Sequence, residues 1–311
     1  MPAPLRPGLG LGGEWGGAAL LAVENAPPGY RARFGMFPQL GAPVGFIAAN
    51  GLFLVLGAVL SDEQFLAWGW RVPFLLSAVL VGLGLWVRLK LTETPAFAAA
   101  LAEAPPPRVP LAELFGRHLK AATAGTFAVV ACFAIFYIAT AFALGYGTTT
   151  LGYRREAFLG VQIASILFLA LGIVLAGASA DRTSPRRVLI AGCWGSIVVG
   201  LLMGPLFGGG SLVLIGAFLA LALVAMGFVY GPLGAFLPDL FPARVRYTGA
   251  SVAFNVGGIV GGAAAPVAAQ ALAGAGGLAL VGLYMTVAAA ISLAGLLSLG
   301  RAGGAMEAAE T

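Results

Sequence analysis

The chain has 311 residues, of which 60 % are hydrophobic and 9 % are charged, and its formal net charge is +5. Soluble domains carry about 25 % charged residues. This composition therefore excludes an ordinary soluble domain and predicts an all-α integral membrane protein. The basic residues are spread along the chain instead of forming a tract, so we expect them to set the membrane topology and expect no nucleic-acid partner.

Residues that bind metals or perform covalent chemistry are scarce. His118 is the only histidine, and Cys132 and Cys193 stand apart in apolar runs. We therefore expect no metal site, no disulfide and no cofactor. A membrane-embedded enzyme is the weakest functional hypothesis, because the spans contain no paired carboxylates and no nucleophile with a base at helical spacing.

Apolar windows of about 20 residues predict nine membrane-spanning helices. They cover residues 8–24, 36–59, 70–90, 119–143, 158–179, 187–207, 211–237, 248–270 and 277–298. A proline-rich stretch of mixed charge interrupts them and predicts a linker. The expected domains are a partial N-terminal bundle of three helices (1–90), a cytoplasmic linker (91–118), a complete six-helix bundle (119–300) and a cytoplasmic tail (301–311).

The first predicted span is glycine-rich and has one carboxylate, Glu14, in its middle: GLGLGGEWGGAALLAVENAPP. An acid at the centre of a span costs roughly 2.5–3.5 kcal/mol, so it usually faces the protein interior or an aqueous cavity. Two interpretations stay open for Glu14, a proton-coupling or substrate-cavity carboxylate and a structural acid bonded to a neighbouring helix. The glycines favour close helix packing over dinucleotide binding, because no strand precedes them.

Five polar residues inside other spans are candidates for lining a cavity. They are Gln39, Asn50, Tyr137, Gln162 and Asn255. Each could equally bond to a neighbouring helix, a contact worth about 0.6 kcal/mol.

A short repeat links the first and seventh predicted spans. Glu24 is followed by Pro27 and Arg31, and Asp239 is followed at the same spacing by Pro242 and Arg246. The two copies lie six predicted helices apart, which is typical of transporters built from two parallel six-helix halves. On this interpretation the first half lacks its opening three helices. The alternative is chance similarity between two proline-bearing loops.

The loop after the fifth predicted span reads GASADRTSPRR and places Asp181 directly before Arg182, Arg186 and Arg187. An acid at a helix end followed by arginines can form charge-assisted contacts with another helix terminus. Contacts made in one conformation and broken in another are what a gate requires. The expected partners are the start of the second span near residues 33–35 and the two acid–arginine repeat pairs.

The distribution of basic residues predicts the orientation. Thirteen of the 17 lysines and arginines fall on the side of the linker and the C-terminus. By the positive-inside rule we expect a multi-pass protein of the cell membrane, embedded in the lipid bilayer, with its C-terminus in the cytoplasm.

Several stretches together resemble the major facilitator superfamily and, within it, the metabolite:proton symporter family. They are GLGLGGEWGGAALLAVENAPP, FPQLGAPVGFIAANG, LSDEQFLAWGWRVPFLLS with the following TETPAF, GASADRTSPRR and YGPLGAFLPDLFPARVRYTGAS. The nearest subgroup in character is that of shikimate-like and other organic-acid symporters. Members have twelve helices and two DRxGRR-type loops, whereas this chain has one such loop, at residues 181–187.

The resemblance implies proton-coupled symport of a small organic acid or related metabolite by alternating access. The implied partners are a small-molecule substrate and protons, with the protein acting as a monomer. It also places Asp181, Arg182, Arg186 and Arg187 in a cytoplasmic gating loop, and Glu14 is the expected proton carrier. The alternative is a truncated fragment of such a transporter that does not transport.

Overall fold

The computed structural model describes residues 5–90 and 110–299, and every regular element in these two ranges is helical. Helices are favoured in lipid because each one satisfies its own backbone hydrogen bonds. The predicted class, an all-α membrane bundle, is confirmed.

The first described range contains six helical segments, which we call the first group. They are α1 (Leu5–Glu24), α2 (Arg31–Gly35), α3 (Phe37–Val59), α4 (Asp62–Ala67), a 3₁₀ turn (Gly69–Arg71) and α5 (Val72–Lys90). Gly29, in the connection between α1 and α2, has a φ of +80°, which glycine adopts without strain. Ser61 caps α4 through reciprocal hydrogen bonds with Gln64, so the short connection between two spans has a fixed start.

The second described range forms the second group. Its segments are α6 (Pro110–Arg117), α7 (Leu119–Tyr137), a π turn (Ile138–Phe142), α8 (Ala143–Thr149), α9 (Arg155–Arg182), α10 (Pro185–Leu201), α11 (Met203–Phe207), α12 (Leu212–Tyr230), α13 (Leu233–Asp239), α14 (Ala243–Gly258), a second π turn (Ile259–Ala263), α15 (Ala265–Gly276) and α16 (Leu278–Ser298). The predicted linker at 91–118 therefore contains a helix, α6. Residues 91–109 lie outside the described ranges.

Within residues 5–90 and 110–299, seven helical stretches are long and apolar enough to cross a membrane. They are Arg31–Val59, Gly69–Trp86, Leu119–Thr149, Arg155–Arg182, Leu212–Asp239, Ala243–Gly276 and Leu278–Ser298. The predicted spans 8–24 and 187–207 are also helical, as α1 and as α10 with α11. Helix α10 has 17 residues, and α1 contains two glutamates among its glycines, so the crossing by these two segments stays a prediction.

Close backbone contacts between glycines hold the second group together. A Cβ atom on Gly172 of α9 would lie 2.7 Å from the carbonyl oxygen of Val224, and a Cβ on Gly227 of α12 would lie 2.7 Å from the Cα of Gly172. Small residues at such crossings allow the dense packing that drives helix association in lipid. Buried side chains from α7, α9, α10, α12 and α16 fill one continuous core.

Burial differs sharply between the two groups. About 6 % of residues are buried in the apolar windows of the spans Arg31–Val59 and Gly69–Trp86, against 39–67 % in the five later spans. The first group nevertheless contacts the second group's core, through residues that include Trp15, Met36 and Phe46. The region where the two groups meet contains four of the polar residues singled out from the sequence, namely Arg31, Gln39, Asp181 and Asp239.

Candidate functional site

The last turn of α9 and the first turn of α2 meet at one end of the bundle, which we call the Asp181 end. The Asp181 carboxylate accepts hydrogen bonds from the backbone N–H groups of Ala32 (2.7 Å) and Arg33 (3.2 Å), and Arg33 Nε lies 3.4 Å from it. Helices α2 and α3 form one stretch of 29 residues, so these N–H groups are the positive end of a long helix dipole. The Asp181 side chain is 6 % exposed, which limits screening of this contact.

A second ion pair joins the two copies of the acid–arginine repeat. Arg31 from the first copy donates to Asp239 from the second at 2.6 Å. Both side chains are about half exposed, so we expect the pair to contribute less than about 1 kcal/mol. In the same two copies, Glu24 ends α1, and Arg246 donates from Nε to the carbonyl oxygen of Phe241 at 3.2 Å.

The arginines that follow Asp181 have different surroundings. Arg186 donates from Nε and Nη2 to the carbonyl oxygen of Leu296, at 3.1 and 3.0 Å, near the end of α16. A cation is favourable at the negative end of a helix, so this contact stays within the second group. Arg182 and Arg187 are exposed, and the Arg187 N–H donates to the capping hydroxyl of Ser184.

Glycine backbones touch across the Asp181 end. A Cβ atom on Gly234 would collide with the carbonyl oxygen of Gly35, and a Cβ on Gly35 would lie 2.8 Å from the backbone nitrogen of Ala235. Gly177 of α9 is likewise covered by the Met36 side chain, whose sulfur would lie 2.5 Å from an added Cβ. The two groups are therefore in direct backbone contact at this end.

Gln39 connects the two groups further along α3. Its side chain is completely buried; Oε1 accepts from Trp15 Nε1 at 2.8 Å, and Nε2 donates to the carbonyl oxygen of Tyr230 at 2.8 Å. Helix α12 ends at Tyr230, so this carbonyl belongs to the last turn, where no helical donor is guaranteed. Trp15 also stacks on Phe254 of α14 with ring centroids 3.8 Å apart. One glutamine thus links α1, α3 and α12, and through Trp15 also α14.

Gln162 has a different environment, inside the second group. It is 3 % exposed, and its Nε2 donates to the carbonyl oxygens of Ala139 (2.9 Å) and Thr140 (2.8 Å). Both carbonyls belong to the π turn that interrupts the first span of this group. A π turn interrupts the regular backbone hydrogen bonds of the helix. The Gln162 amide therefore donates to two carbonyl oxygens that the helix backbone pairs less well.

Replacing Gln162 with leucine should lower the free energy of unfolding by roughly 1–3 kcal/mol, because two buried carbonyls lose a shared donor. Thermal unfolding in detergent measures this. Gln270→Leu is the matched control, since Gln270 is exposed. An equal loss in both variants would contradict the role of Gln162 in holding the π turn.

The other polar residues predicted from the sequence contact their own helices or lie at a surface. Asn50 donates to the carbonyl oxygen of Phe46 at 3.0 Å, and Asn255 to that of Ser251 at 2.7 Å. Tyr137 is 38 % exposed beside the first π turn. Glu14 is exposed on α1, next to Trp15, and no hydrogen bond or ion pair to it is found among the described residues.

Several residues that build the contact between the groups were not predicted. They include Trp15, Phe254, Gly35 and Gly234. Apolar and small residues in a span look alike in sequence whether they face lipid or another helix. The cluster GPLG at 231–234 was the available signal, because proline and glycine together predict a helix break.

The site offers hydrogen bonding and charge pairing between two helical groups. Within the described ranges, no group of three histidine, cysteine, aspartate or glutamate side chains is placed to hold a metal ion. Cys132 and Cys193 are both buried and unbonded to each other. A multi-spanning helical bundle whose two groups meet through polar contacts is an architecture typical of membrane transport proteins.

Comparison with known proteins identifies the family. Residues 7–266 match the family model described as Major Facilitator Superfamily. The chain is 45 % identical over 295 residues to the inner membrane metabolite transport protein YhjE of Escherichia coli K12, covering 93 % of this chain and 67 % of YhjE. The chain therefore belongs to the major facilitator superfamily, a transporter family and not an enzyme family.

Two further relatives extend the comparison. The shikimate transporter of Escherichia coli K12 is 38 % identical over 85 % of this chain and 61 % of its own length. The proline/betaine transporter of Salmonella typhimurium LT2 is 26 % identical over 92 % of this chain and 59 % of its own length. The chain thus spans about three fifths to two thirds of these relatives, and the predicted absence of three opening helices stays a prediction. The membrane location and a small-molecule substrate follow from the family and the seven apolar spans.

Proposed function

We propose that this protein is a proton-coupled symporter that moves a small organic acid or related metabolite by alternating access. The observation that carries the proposal is the set of contacts joining the two groups at the Asp181 end and at Gln39. The similarity to proteins named as metabolite and shikimate transporters supports the substrate class.

The Asp181 end is the proposed cytoplasmic gate, and the last turns of α16 reach this end, where Arg186 contacts Leu296, so a cytoplasmic C-terminus is proposed. The basic residues there include Arg33, Arg182, Arg186 and Arg187, in agreement with the positive-inside rule. The hydrogen bonds from the Ala32 and Arg33 N–H groups to Asp181 cap α2 across the two groups, so separating the groups breaks them. Opening then exposes a carboxylate and two N–H groups to water, and hydrogen bonds with water offset part of the free energy of the lost contacts.

Gln39 and Trp15 close the path deeper in the bundle. The hydrogen bond from Gln39 to the Tyr230 carbonyl oxygen and the stacking of Trp15 on Phe254 cross between the groups, so both break when the groups separate, while the Trp15–Gln39 hydrogen bond stays within the first group. The released polar atoms would then face the opened space, where a substrate can bind them. Asn50, Tyr137 and Asn255 are the further proposed substrate contacts, and the protein is proposed to work as a monomer.

Glu14 is the proposed proton carrier. It is the only acidic residue in the interior of a predicted span. A charged carboxylate in an apolar span is costly, and a protonated one much less so. Protonation therefore favours the conformation in which Glu14 leaves water, which couples proton movement to the change between conformations.

Glu14→Gln tests the proposal in proteoliposomes with an imposed pH gradient. The parent protein should accumulate substrate, by up to about tenfold per coupled proton for each pH unit. The variant should show no accumulation but should keep the exchange of labelled for unlabelled substrate, because exchange needs no net proton movement.

Glu156→Gln is the matched control, since Glu156 is an exposed acid at the start of α9, and it should accumulate substrate normally. Full accumulation of substrate by Glu14→Gln would contradict the assignment of Glu14 as the proton carrier. Retained exchange distinguishes lost coupling from misfolding.

A further inference from the structure

Helix α6 is docked by one face against the start of α14. Leu114 is fully buried in a small cluster with Ala122, Phe241 and Val245. Glu113 also forms a salt bridge with Arg244 in the first turn of α14. An apolar contact and an ion pair together fix the orientation of this short helix, so its other face has a defined direction.

The other face presents an apolar stripe. Leu111 and Phe115 lie four residues apart on α6 and are 46 % and 52 % exposed, and Leu119, the first residue of α7 after the break at His118, is 51 % exposed. Leu119 is the first residue of the span Leu119–Thr149, which places the stripe where that span begins. The end of a span lies near the boundary between lipid headgroups and acyl chains, so the Leu119 end of the stripe is at that level.

Two basic side chains flank the stripe. Arg117 and Lys120 are exposed, while the one acid of α6, Glu113, is neutralised by Arg244. Among the described residues of α6 and the first turn of α7, the exposed charge is therefore positive. Apolar residues beside lysine and arginine are typical of helices that lie in the plane of a membrane surface and attract anionic lipids.

We propose that α6 is an in-plane membrane anchor that binds anionic lipid headgroups. Leu111, Phe115 and Leu119 enter the acyl boundary, and Arg117 and Lys120 contact the lipid phosphates. A bilayer fits this surface better than a protein partner, because the stripe lies level with the start of a span and its charge complements lipid phosphate. The anchor holds the start of the second group at the membrane surface, a role separate from substrate transport.

The test uses the full chain with Phe115→Cys carrying an environment-sensitive dye. The protein is reconstituted in phosphatidylcholine bilayers containing increasing fractions of phosphatidylglycerol. Cys132 and Cys193 are buried, so the unsubstituted chain measures the background labelling. We expect the dye emission to shift to the blue as phosphatidylglycerol increases, and spin-labelled lipid to quench it more than aqueous iodide does.

Arg117→Gln with Lys120→Gln should weaken the attraction of α6 to the anionic surface by about 25-fold, or about fivefold for each charge removed, so the blue shift should be absent at phosphatidylglycerol fractions at which it is complete in the parent. Arg154→Gln with Arg155→Gln is the matched control, because both arginines lie at the start of α9, and it should behave as the parent.

Three outcomes would overturn the proposal. A dye that stays open to iodide in every bilayer would assign the stripe to a protein partner. If the phosphatidylglycerol titration is unchanged in the Arg117→Gln, Lys120→Gln variant, these two side chains do not contact the lipid phosphates. A blue shift produced by inorganic phosphate in pure phosphatidylcholine would indicate a free-anion site in place of a lipid site.

Discussion

Replacing Gly234 with alanine should reduce transport at least tenfold while the second group stays folded. The added Cβ atom would collide with the backbone carbonyl of Gly35, which has no flexible end that could move aside. The collision is removed only if the first group moves away from α13. The proposed gate at the Asp181 end would then fail to close.

A cysteine at Met36 reports the movement, because Met36 is 8 % exposed and packs on Gly177 when this end is closed. Labelling of Met36→Cys by a water-soluble maleimide should be faster in the Gly234→Ala background. Gly160→Ala is the matched control: Gly160 lies in α9, and an added Cβ there has no neighbour within 4 Å. Normal transport and slow labelling in Gly234→Ala would contradict the close contact as the basis of gate closure.

The second large effect is expected at Asp181. Asp181→Ala removes an acceptor that is shared by two backbone N–H groups and the Arg33 guanidinium. A hydrogen bond to a charged group contributes roughly 1.5–3 kcal/mol, and because the three contacts share one carboxylate that water solvates in the open state, we count one such contribution in total. These contacts exist only when the two groups meet, so their loss should shift the open–closed equilibrium toward open by about 10- to 100-fold.

Graded replacements make this prediction specific. Asp181→Asn keeps a neutral acceptor oxygen and should fall between the parent and Asp181→Ala in both uptake and Met36→Cys labelling. Arg31→Gln removes only the exposed pair with Asp239 and should change either quantity by less than about fivefold. A larger effect of Arg31→Gln than of Asp181→Ala on uptake and on Met36→Cys labelling would contradict the assignment of the main gate contact to Asp181.

Hydropathy made the helical class and most spans predictable, because a bilayer demands long apolar helices. The contact between Asp181 and the start of the second span was also predictable from charge. A carboxylate at one helix end and backbone N–H groups at another are complementary wherever the loops fall at the same membrane face. Its role as a gate stays a prediction.

The remaining features depend on tertiary contacts that periodicity does not record. Gln39 and Gln162 look alike in sequence, as single amides in apolar runs, yet one joins the two groups and the other supports a π turn. The glycine contact at Gly234 requires knowing which helix lies opposite. Helix α6 has eight residues and was hidden in a proline-rich stretch, where a short amphipathic pattern is easily taken for a linker.

Proton movement measured alongside substrate movement tests the account most directly. The purified protein is placed in liposomes with a pH-sensitive dye inside, and small organic acids, shikimate among them, are added outside without an imposed pH gradient. We predict that a transported acid acidifies the lumen in proportion to its uptake, and that Glu14→Gln shows neither net uptake nor acidification. Substrate uptake without proton movement, or equal acidification in Glu14→Gln, would contradict proton-coupled symport through Glu14.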